Sequence, residues 1–176
     1  MRPSIEEYFL SLAVLVSTRA TCLRRSVGCV LVDKRRHVLA TGYNGVAAGM
    51  PHCNDITGYD VIGDLHSTAN DKYKPIYNHA CQGAYAASGS KLDDCGAIHA
   101  EQNALLQCRD VWEIETAYVT VSPCLTCTKL LLNTSCSQIV FTERYEAHYD
   151  QARSLWLGAG RSFMQYPCAF PVEIEE

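Results

Sequence analysis

The spacing of apolar residues predicts a helix and then a β-hairpin in the first quarter of the chain. Apolar residues recur every three or four positions over residues 4–18, which is the period of a helix with one buried face. Residues 27–32 and 37–42 are short runs rich in aliphatic side chains, and four polar residues join them. Such a pair predicts two antiparallel strands. The sequence Gly-Tyr-Asn-Gly at 42–45 then interrupts the strand pattern.

Helical and strand patterns alternate in the second half of the chain. Helices are predicted at 98–109, 124–133 and 148–157, and strands at 116–122, 138–142 and 162–166. A hairpin followed by this alternation predicts an α/β fold in which helices cover both faces of one sheet. A length of 176 residues suits one compact domain, so residues 1–176 are predicted to form a single domain.

No hydrophobic period is sustained between these two parts, over about residues 46–96. A segment of that length is too long for an inert loop in a compact domain, so it either has a function or is held by something other than a core. It contains six residues of the types that bind metals: His52, Cys53, His66, His79, Cys81 and Cys95. We therefore expect a long insertion that metal ligands hold in place.

Charge and cysteine content narrow the class of protein. The chain has 15 basic and 19 acidic residues, and its net charge of −4 argues against a nucleic-acid surface but does not exclude a small anionic substrate. Its ten cysteines could indicate a secreted disulfide framework. However, Glu6 and Glu7 directly precede the first apolar run, unlike a signal peptide, and no run is long enough to span a membrane. We expect a cytoplasmic protein whose cysteines are reduced, buried or metal-bound.

Two short motifs carry the candidate chemistry. His99 stands two residues before Glu101, and Cys124 and Cys127 stand three residues apart after a proline. One histidine and two cysteines are three zinc ligands that leave a fourth position open, which is typical of a catalytic zinc site. The free N–H groups at the start of a helix lower thiol pKa values, so both cysteines are expected to bind as thiolates.

Glu101 is expected beside the metal rather than on it. Two residues along a helix differ by about 200° of rotation, so His99 and Glu101 can converge only at the helix start. The pattern H-x-E followed by P-C-x-x-C is that of zinc deaminases. It predicts that a zinc-bound hydroxide attacks the amino-bearing carbon of a cytosine-type ring while Glu101 moves protons. A zinc cluster without catalysis is the weaker interpretation, because it leaves Glu101 unexplained.

The chain resembles the cytidine deaminase superfamily and, within it, the deoxycytidylate (dCMP) deaminases, over roughly residues 4–170. The motifs that carry the resemblance are RATC at 19–22, VGCV at 27–30, GYNG at 42–45, HAEQNA at 99–104 and SPCLTC at 122–127. The resemblance implies a three-layer α/β/α fold with a five-stranded mixed sheet and zinc at two helix N-termini. It also implies hydrolysis of dCMP to dUMP and ammonia, which supplies dUMP for thymidylate synthesis.

The resemblance implies three substrate contacts. Asn44 is expected to bond the deoxyribose, the backbone of Ala100 to bond the cytosine edge, and Tyr145 to stack near the substrate. A plain turn residue at Asn44 and a rim aromatic at Tyr145 are the alternatives. Independently, arginines at four positions make a phosphate site plausible, and we take the last three as candidate substrate residues: Arg19, Arg24, Arg25 and Arg144.

Some family members also bind a structural zinc through cysteines at the positions of Cys22 and Cys53. The other ligands vary, and this chain has Ala97 where an acidic ligand can occur. The ligands that we predict are Cys22, Cys53, Cys81 and Cys95, because a closed thiolate site would pin the aperiodic segment. His52 and His79 are possible substitutes, and buried free thiols are the alternative. The remaining cysteines that we assign to packing are Cys29, Cys108, Cys136 and Cys168.

Assembly and regulation are implied by the resemblance alone. Many dCMP deaminases are homohexamers that dCTP activates and dTTP inhibits, with Mg²⁺ accompanying the triphosphate. Three other interpretations of the zinc motif stay open: a deaminase of bases in nucleic acid, a deaminase of a free nucleoside or modified dCMP, and a zinc-stapled binding module. The net negative charge disfavours the first, and the intact Glu101 disfavours the last.

Overall fold

The computed structural model describes residues 2–55, 57–61, 73–76, 81, 83–86, 90 and 95–167. The helices of these residues are α1 (Ile5–Ser17), α2 (Ala100–Gln107), α3 (Leu125–Leu132) and α4 (Tyr149–Gly158). The strands are β1 (Gly28–Val32), β2 (Val38–Tyr43), β3 (Gly45–Val46), β4 (Gly58–Val61), β5 (Tyr73–Ile76), β6 (Ala97–Ile98), β7 (Thr116–Val121), β8 (Gln138–Glu143) and β9 (Ser162–Gln165).

A five-stranded mixed sheet forms the centre of the fold, in the order β2-β1-β7-β8-β9. The predicted hairpin is confirmed, since Gly28 pairs with Tyr43 and β1 runs antiparallel to β2. β1 is also antiparallel to β7. β7 pairs in parallel with β8, and β8 pairs in parallel with β9. The carboxyl ends of β7 and β8 therefore meet at one edge, where α/β sheets place their ligands.

Helices cover both faces of this sheet, which confirms the predicted three-layer α/β/α fold. On one face α1 packs Phe9 and Leu10 against the sheet, in a cluster with Val30 and Tyr118. On the other face α2, α3 and α4 bury apolar side chains against the odd-numbered residues of β1 and β7. Because both faces are covered, every residue of β1 and of β7 is buried.

Two glycines allow the helices to lie directly on the hairpin. A Cβ atom at Gly28 would lie 2.0 Å from the carbonyl oxygen of Ala13 in α1, and one at Gly42 would lie 2.2 Å from the carbonyl oxygen of Ala100 in α2. Real Cβ atoms do not approach backbone atoms that closely, so any larger residue would push the helix away. Gly42 thus fixes where α2 begins, immediately after His99.

The aperiodic segment differs from our expectation, because short strands lie within it. β4 and β5 form an antiparallel pair in which Gly58 faces Ile76, and β3 pairs with β6. Strands of two to four residues are too short for a hydrophobic period to reveal. Elsewhere the predicted bounds of helices and strands agree with the structure to within two residues.

No described helix is both long enough and apolar enough to cross a membrane. Of the residues singled out in the sequence, His66, His79 and Cys168 lie outside the described part of the chain.

Candidate active site

His99, Cys124 and Cys127 come together at the starts of two neighbouring helices. His99 is the N-cap of α2, Cys124 is the N-cap of α3, and Cys127 lies in the first turn of α3. The Sγ atoms of Cys124 and Cys127 are each 3.4 Å from Nδ1 of His99. One ligand atom from each residue thus lies within 4.8 Å of the other two, which is close enough for one metal ion.

Local hydrogen bonds hold the two helix starts in place. Gln102 accepts a hydrogen bond from the backbone N–H of His99 at 2.9 Å, and Asn103 donates to the carbonyl oxygen of Tyr43 at 2.8 Å. The second bond ties α2 to the end of β2. In α3, Cys127 N–H points at the Sγ of Cys124 over 3.5 Å, which satisfies one of the free donors of the helix start.

The pKa values of the two thiols shift in opposite directions, whereas the sequence predicted that both would be lowered. A hydrogen bond from the Cys127 thiol lowers the pKa of Cys124 to about 4. Burial opposes this shift, and a hydrogen bond with His99 adds to it. The hydrogen bond to Cys124, followed by burial, raises the pKa of Cys127 well above that of an ordinary thiol. Two sulfurs and one imidazole nitrogen are the donors that zinc prefers, and three of them leave one position open. These residues therefore fit a catalytic zinc ion.

Glu101 lies beside this set, where the sequence places it. Its side chain is only 4% exposed, and its carboxyl group hydrogen-bonds the thiol of Cys127. Burial, and then the negative charge of Cys124, raise the pKa of Glu101 to about 7. A buried carboxyl group with such a pKa is suited to accepting and donating protons near neutral pH.

A cavity of about 370 Å³ opens onto His99, Glu101 and Cys124. That volume lies in the range of small-molecule sites. The residues that line it are Cys22, Leu23, Arg24, Arg25, Val27, Asn44, Ala84, Tyr85, Ala86, Cys95, Ala97, His99, Ala100, Glu101, Val121, Ser122, Cys124 and Tyr145.

Five of the six predicted substrate residues line this cavity, and one does not. Arg24, Arg25, Asn44, Ala100 and Tyr145 are among the lining residues. Arg144, the third arginine of the predicted phosphate site, is not among the lining residues.

Arg144 is exposed and engaged elsewhere. Its Nε donates to Gln165 at 2.8 Å, and its guanidinium lies 4.7 Å from the ring centroid of Tyr149. Consecutive residues after the end of β8 point in different directions, so closeness in sequence to Tyr145 does not bring Arg144 into the cavity.

Tyr145 and Arg25 face each other at the cavity. The Arg25 guanidinium carbon is 5.9 Å from the ring centroid of Tyr145, within the range of a cation–π contact. The backbone N–H of Tyr145 donates to Oγ of Ser122 at 2.8 Å, and its ring meets that of His148 edge-on. The end of β8 is thereby tied to the end of β7 at the predicted sheet edge.

Each of the four cysteines predicted to form a second metal site interacts with at least one of the others, although within the described part of the chain only His99, Cys124 and Cys127 form a group compact enough for a metal ion. The Cys81 thiol hydrogen-bonds both Cys53 and Cys95. The pKa values of Cys53 and Cys95 are both raised, chiefly by burial. Negative charge on Cys22 raises both further. Burial alone would raise the pKa of Cys81. Hydrogen bonds from the Gly96 backbone and from the neighbouring thiols outweigh it, so the pKa is lowered. Cys22 and Cys95 also line the cavity, so this cluster adjoins the candidate active site.

Several cavity residues were missed by sequence reasoning. Ala84, Tyr85 and Ala86 come from the aperiodic segment, and Ala97 follows it. Their small or aromatic side chains form no pattern. The one usable signal is that Ala84, Tyr85 and Ala86 lie between Cys81 and Cys95 in the sequence.

The family comparison agrees with this geometry. Residues 3–143 match the family described as the cytidine and deoxycytidylate deaminase zinc-binding region. The chain belongs to this family. The resemblance found in the sequence is thereby confirmed, and the matched range contains all three candidate ligands of the first zinc.

Individual relatives of this deaminase-family chain are named deoxycytidylate deaminases. That of Saccharomyces cerevisiae is 35% identical over 157 residues, covering 88% of this chain and 43% of the relative. That of Mycobacterium phage D29 is 33% identical over 141 residues, covering 80% of this chain and 95% of the relative. The chain spans less than half the length of the two fungal relatives, 43% and 45%.

A solved structure supports the fold. The crystal structure of dCMP deaminase from the cyanophage S-TIM5, in complex with dCMP and dUMP, is similar with a TM-score of 0.63. Its sequence is 21% identical, and the match covers 94% of this chain and 99% of that one.

Proposed function

We propose that this chain catalyses the hydrolytic deamination of dCMP to dUMP and ammonia. The observation that carries the proposal is the set of His99, Cys124 and Cys127 with the buried Glu101 beside it. His99, Cys124 and Glu101 line a cavity that Arg24 and Arg25 also line. The names of the relatives support dCMP as the substrate.

His99, Cys124 and Cys127 are the residues that would hold the catalytic zinc. Zinc in such a three-ligand site lowers the pKa of a bound water toward neutrality. The protein has to supply a group that moves protons between that water and the substrate.

Glu101 is suited to that task. It is buried at the start of α2, it lines the cavity, and it lies next to the ligand set without belonging to it. In the proposed reaction it takes a proton from water and passes it to the ring nitrogen. It then takes the second proton from the hydroxyl group that has added to the ring carbon and gives it to the departing amine.

Residues around the cavity would orient the substrate. The backbone N–H of Ala100 is at the start of α2, where such groups have no helical partner, and it can bond the cytosine edge. Tyr145 lines the cavity and offers an aromatic face to the base. Arg24 and Arg25 would bind the 5′-phosphate. This contact would make the site select a nucleotide over a nucleoside.

A second, structural zinc would be held by four cysteines: Cys22, Cys53, Cys81 and Cys95. The thiol-to-thiol hydrogen bonds of Cys81 with two of them support this proposal, because a metal ion replaces such protons. His52, the substitute considered from the sequence, is exposed, and its backbone N–H donates to Asp55 at 3.0 Å.

Regulation and assembly remain predictions. Activation by dCTP, inhibition by dTTP, Mg²⁺ bound with the triphosphate, a homohexamer and a cytoplasmic location rest on the resemblance and the sequence.

A panel of substrates tests the proposal. We expect zinc-replete protein to release ammonia from dCMP with a kcat/KM at least about tenfold above that for deoxycytidine, since binding a phosphate with arginine gives charge-assisted hydrogen bonds. A cytosine-containing oligonucleotide should not react. Deamination of the oligonucleotide alone would place the chain among nucleic-acid deaminases, and equal rates on dCMP and deoxycytidine would remove the phosphate site.

A further inference from the structure

Asn44 makes hydrogen bonds that tie together the loop carrying the two cavity arginines. Its side-chain Oδ1 accepts a hydrogen bond from the backbone N–H of Val27 at 2.7 Å, and its Nδ2 donates to the carbonyl oxygen of Arg25 at 2.6 Å. The residue is only 8% exposed. Each half of the carboxamide therefore already has a short bond to the backbone.

The backbone of Asn44 holds the same loop at two further points. Its N–H donates to the carbonyl oxygen of Val27 at 3.2 Å, and its carbonyl oxygen accepts from the N–H of Thr21 at 3.1 Å. Asn44 thus bonds both ends of the segment 21–27. This segment contains neither helix nor strand, so such bonds determine its shape.

The bond to Arg25 bears directly on the cavity. The carbonyl of Arg25 belongs to the residue whose guanidinium lies 5.9 Å from the Tyr145 ring, and Arg24 precedes it in the same loop. Arg25 is itself exposed, so its side chain depends on a fixed backbone to face the cavity. Long exposed side chains otherwise sample many rotamers.

We propose that Asn44 is a positioning residue for phosphate recognition, in which its carboxamide fixes the backbone of Arg25 so that the arginine pair faces the 5′-phosphate of the substrate. This inference rests on the proposed function and deepens it. It differs from the expected contact with the deoxyribose, because loss of a sugar contact would lower kcat/KM for nucleotide and nucleoside alike. Loss of a role through the arginines would lower kcat/KM for the nucleotide alone.

Asn44→Asp and Asn44→Ser together separate the relevant bond from charge. An aspartate has the same shape and still accepts from Val27 N–H, but its carboxylate cannot donate to the carbonyl of Arg25 and adds a negative charge near the phosphate, whereas a serine loses the bond and adds no charge. The measured quantity is the ratio of kcat/KM for dCMP to kcat/KM for deoxycytidine, in the wild type, Asn44→Asp, Arg25→Ala and the double variant. Circular dichroism and zinc content check that each protein is folded.

We expect Asn44→Asp to lower this ratio about tenfold, chiefly through KM for dCMP, as expected for a lost charge-assisted contact. In the double variant the ratio should be no lower than with Arg25→Ala alone, because both changes remove the same contact. Asn44→Ser is smaller, so its side chain reaches neither partner. We expect this second variant to lower the same ratio, and it also serves if the aspartate variant fails to fold.

Two results would overturn the inference while wild type still prefers dCMP. One is an unchanged ratio in the Asn44 variants, with both substrates losing equally, which would indicate a sugar contact or a general structural role. The other is full additivity of the two changes. A wild-type ratio near one, by contrast, contradicts the proposed phosphate site itself and is visible without any variant.

Discussion

Individual side chains at the site owe their roles to position more than to type. Cys124 and Cys127 are two of ten cysteines, and they are buried as Cys29 and Cys136 are. The first pair lies at a helix start 3.4 Å from His99, whereas the second pair packs against apolar residues. Spacing of three residues after a proline made the first pair predictable from the sequence, because that pattern belongs to helix starts.

Arg144 shows what the sequence cannot reveal about side-chain direction. Its charge made it a candidate for the phosphate site, but no period relates the directions of residues beyond a strand end. The structure instead places the Arg144 guanidinium over Tyr149. The hydrogen bonds of Asn44 to Arg25 and Val27 were equally unpredictable, because they join residues 17 or more positions apart.

Replacing Tyr145 tests its aromatic face. We expect Tyr145→Leu to reduce kcat/KM for dCMP about tenfold, because stacking on a base and the contact with Arg25 both require the ring. Tyr145→Phe is the matched control, and we expect it to stay within about twofold of wild type, since it keeps the ring. Steady-state kinetics with dCMP decide the matter. Equal losses in the two variants would assign the effect to the hydroxyl group instead.

At the level of helices and strands, the site depends on how α2 and α3 are docked. α2 lies on β2 at Gly42, and Asn103 bonds the end of β2. At the other end of α3, Arg161 donates to the carbonyl oxygens of Leu131 and Leu132. The sequence revealed these helices and strands through their hydrophobic periods. It did not reveal the close contact at Gly42, because a glycine in a strand pattern does not show what lies above it.

A methyl group at Gly42 should displace α2. We expect Gly42→Ala to lower the free energy of unfolding by about 3 kcal/mol or more, because the new Cβ would lie 2.2 Å from the carbonyl oxygen of Ala100. Urea denaturation monitored by circular dichroism measures the change. Gly158→Ala is the matched control, since a Cβ there meets nothing within 4 Å. If both alanine variants unfold at the same urea concentration, α2 does not lie on β2 as described.

At the scale of the whole molecule, the aperiodic segment is joined to the core at the cysteine cluster. Cys53, Cys81 and Cys95 belong to that segment, whereas Cys22 precedes β1. Cys22 and Cys95 both line the cavity. The three-layer fold could be predicted because its helices and strands are long enough to show a period. The paired strands β4 and β5 could not, and the cluster was predicted from cysteine positions and family resemblance.

Removing one cluster cysteine should remove one zinc. We expect purified wild-type protein to contain two zinc equivalents per chain and Cys53→Ser to contain one, with a midpoint of thermal unfolding several degrees lower, since a structural metal stabilises the fold it joins. Cys108→Ser is the control, because the Cys108 thiol bonds the carbonyl oxygen of Asp110 instead. Zinc content measured by atomic absorption would contradict the second site if Cys53→Ser and wild type hold the same amount.

The most direct test of the central claim compares wild type with Glu101→Gln. Both proteins are loaded with zinc, and ammonia release from dCMP is followed while bound zinc is quantified. We expect the variant to keep its zinc, because Glu101 is not among the ligand atoms, and to lose at least about a hundredfold in kcat, as when a general acid–base group is removed. A variant that keeps its zinc and also deaminates dCMP at the wild-type rate would contradict the assignment of proton transfer to Glu101.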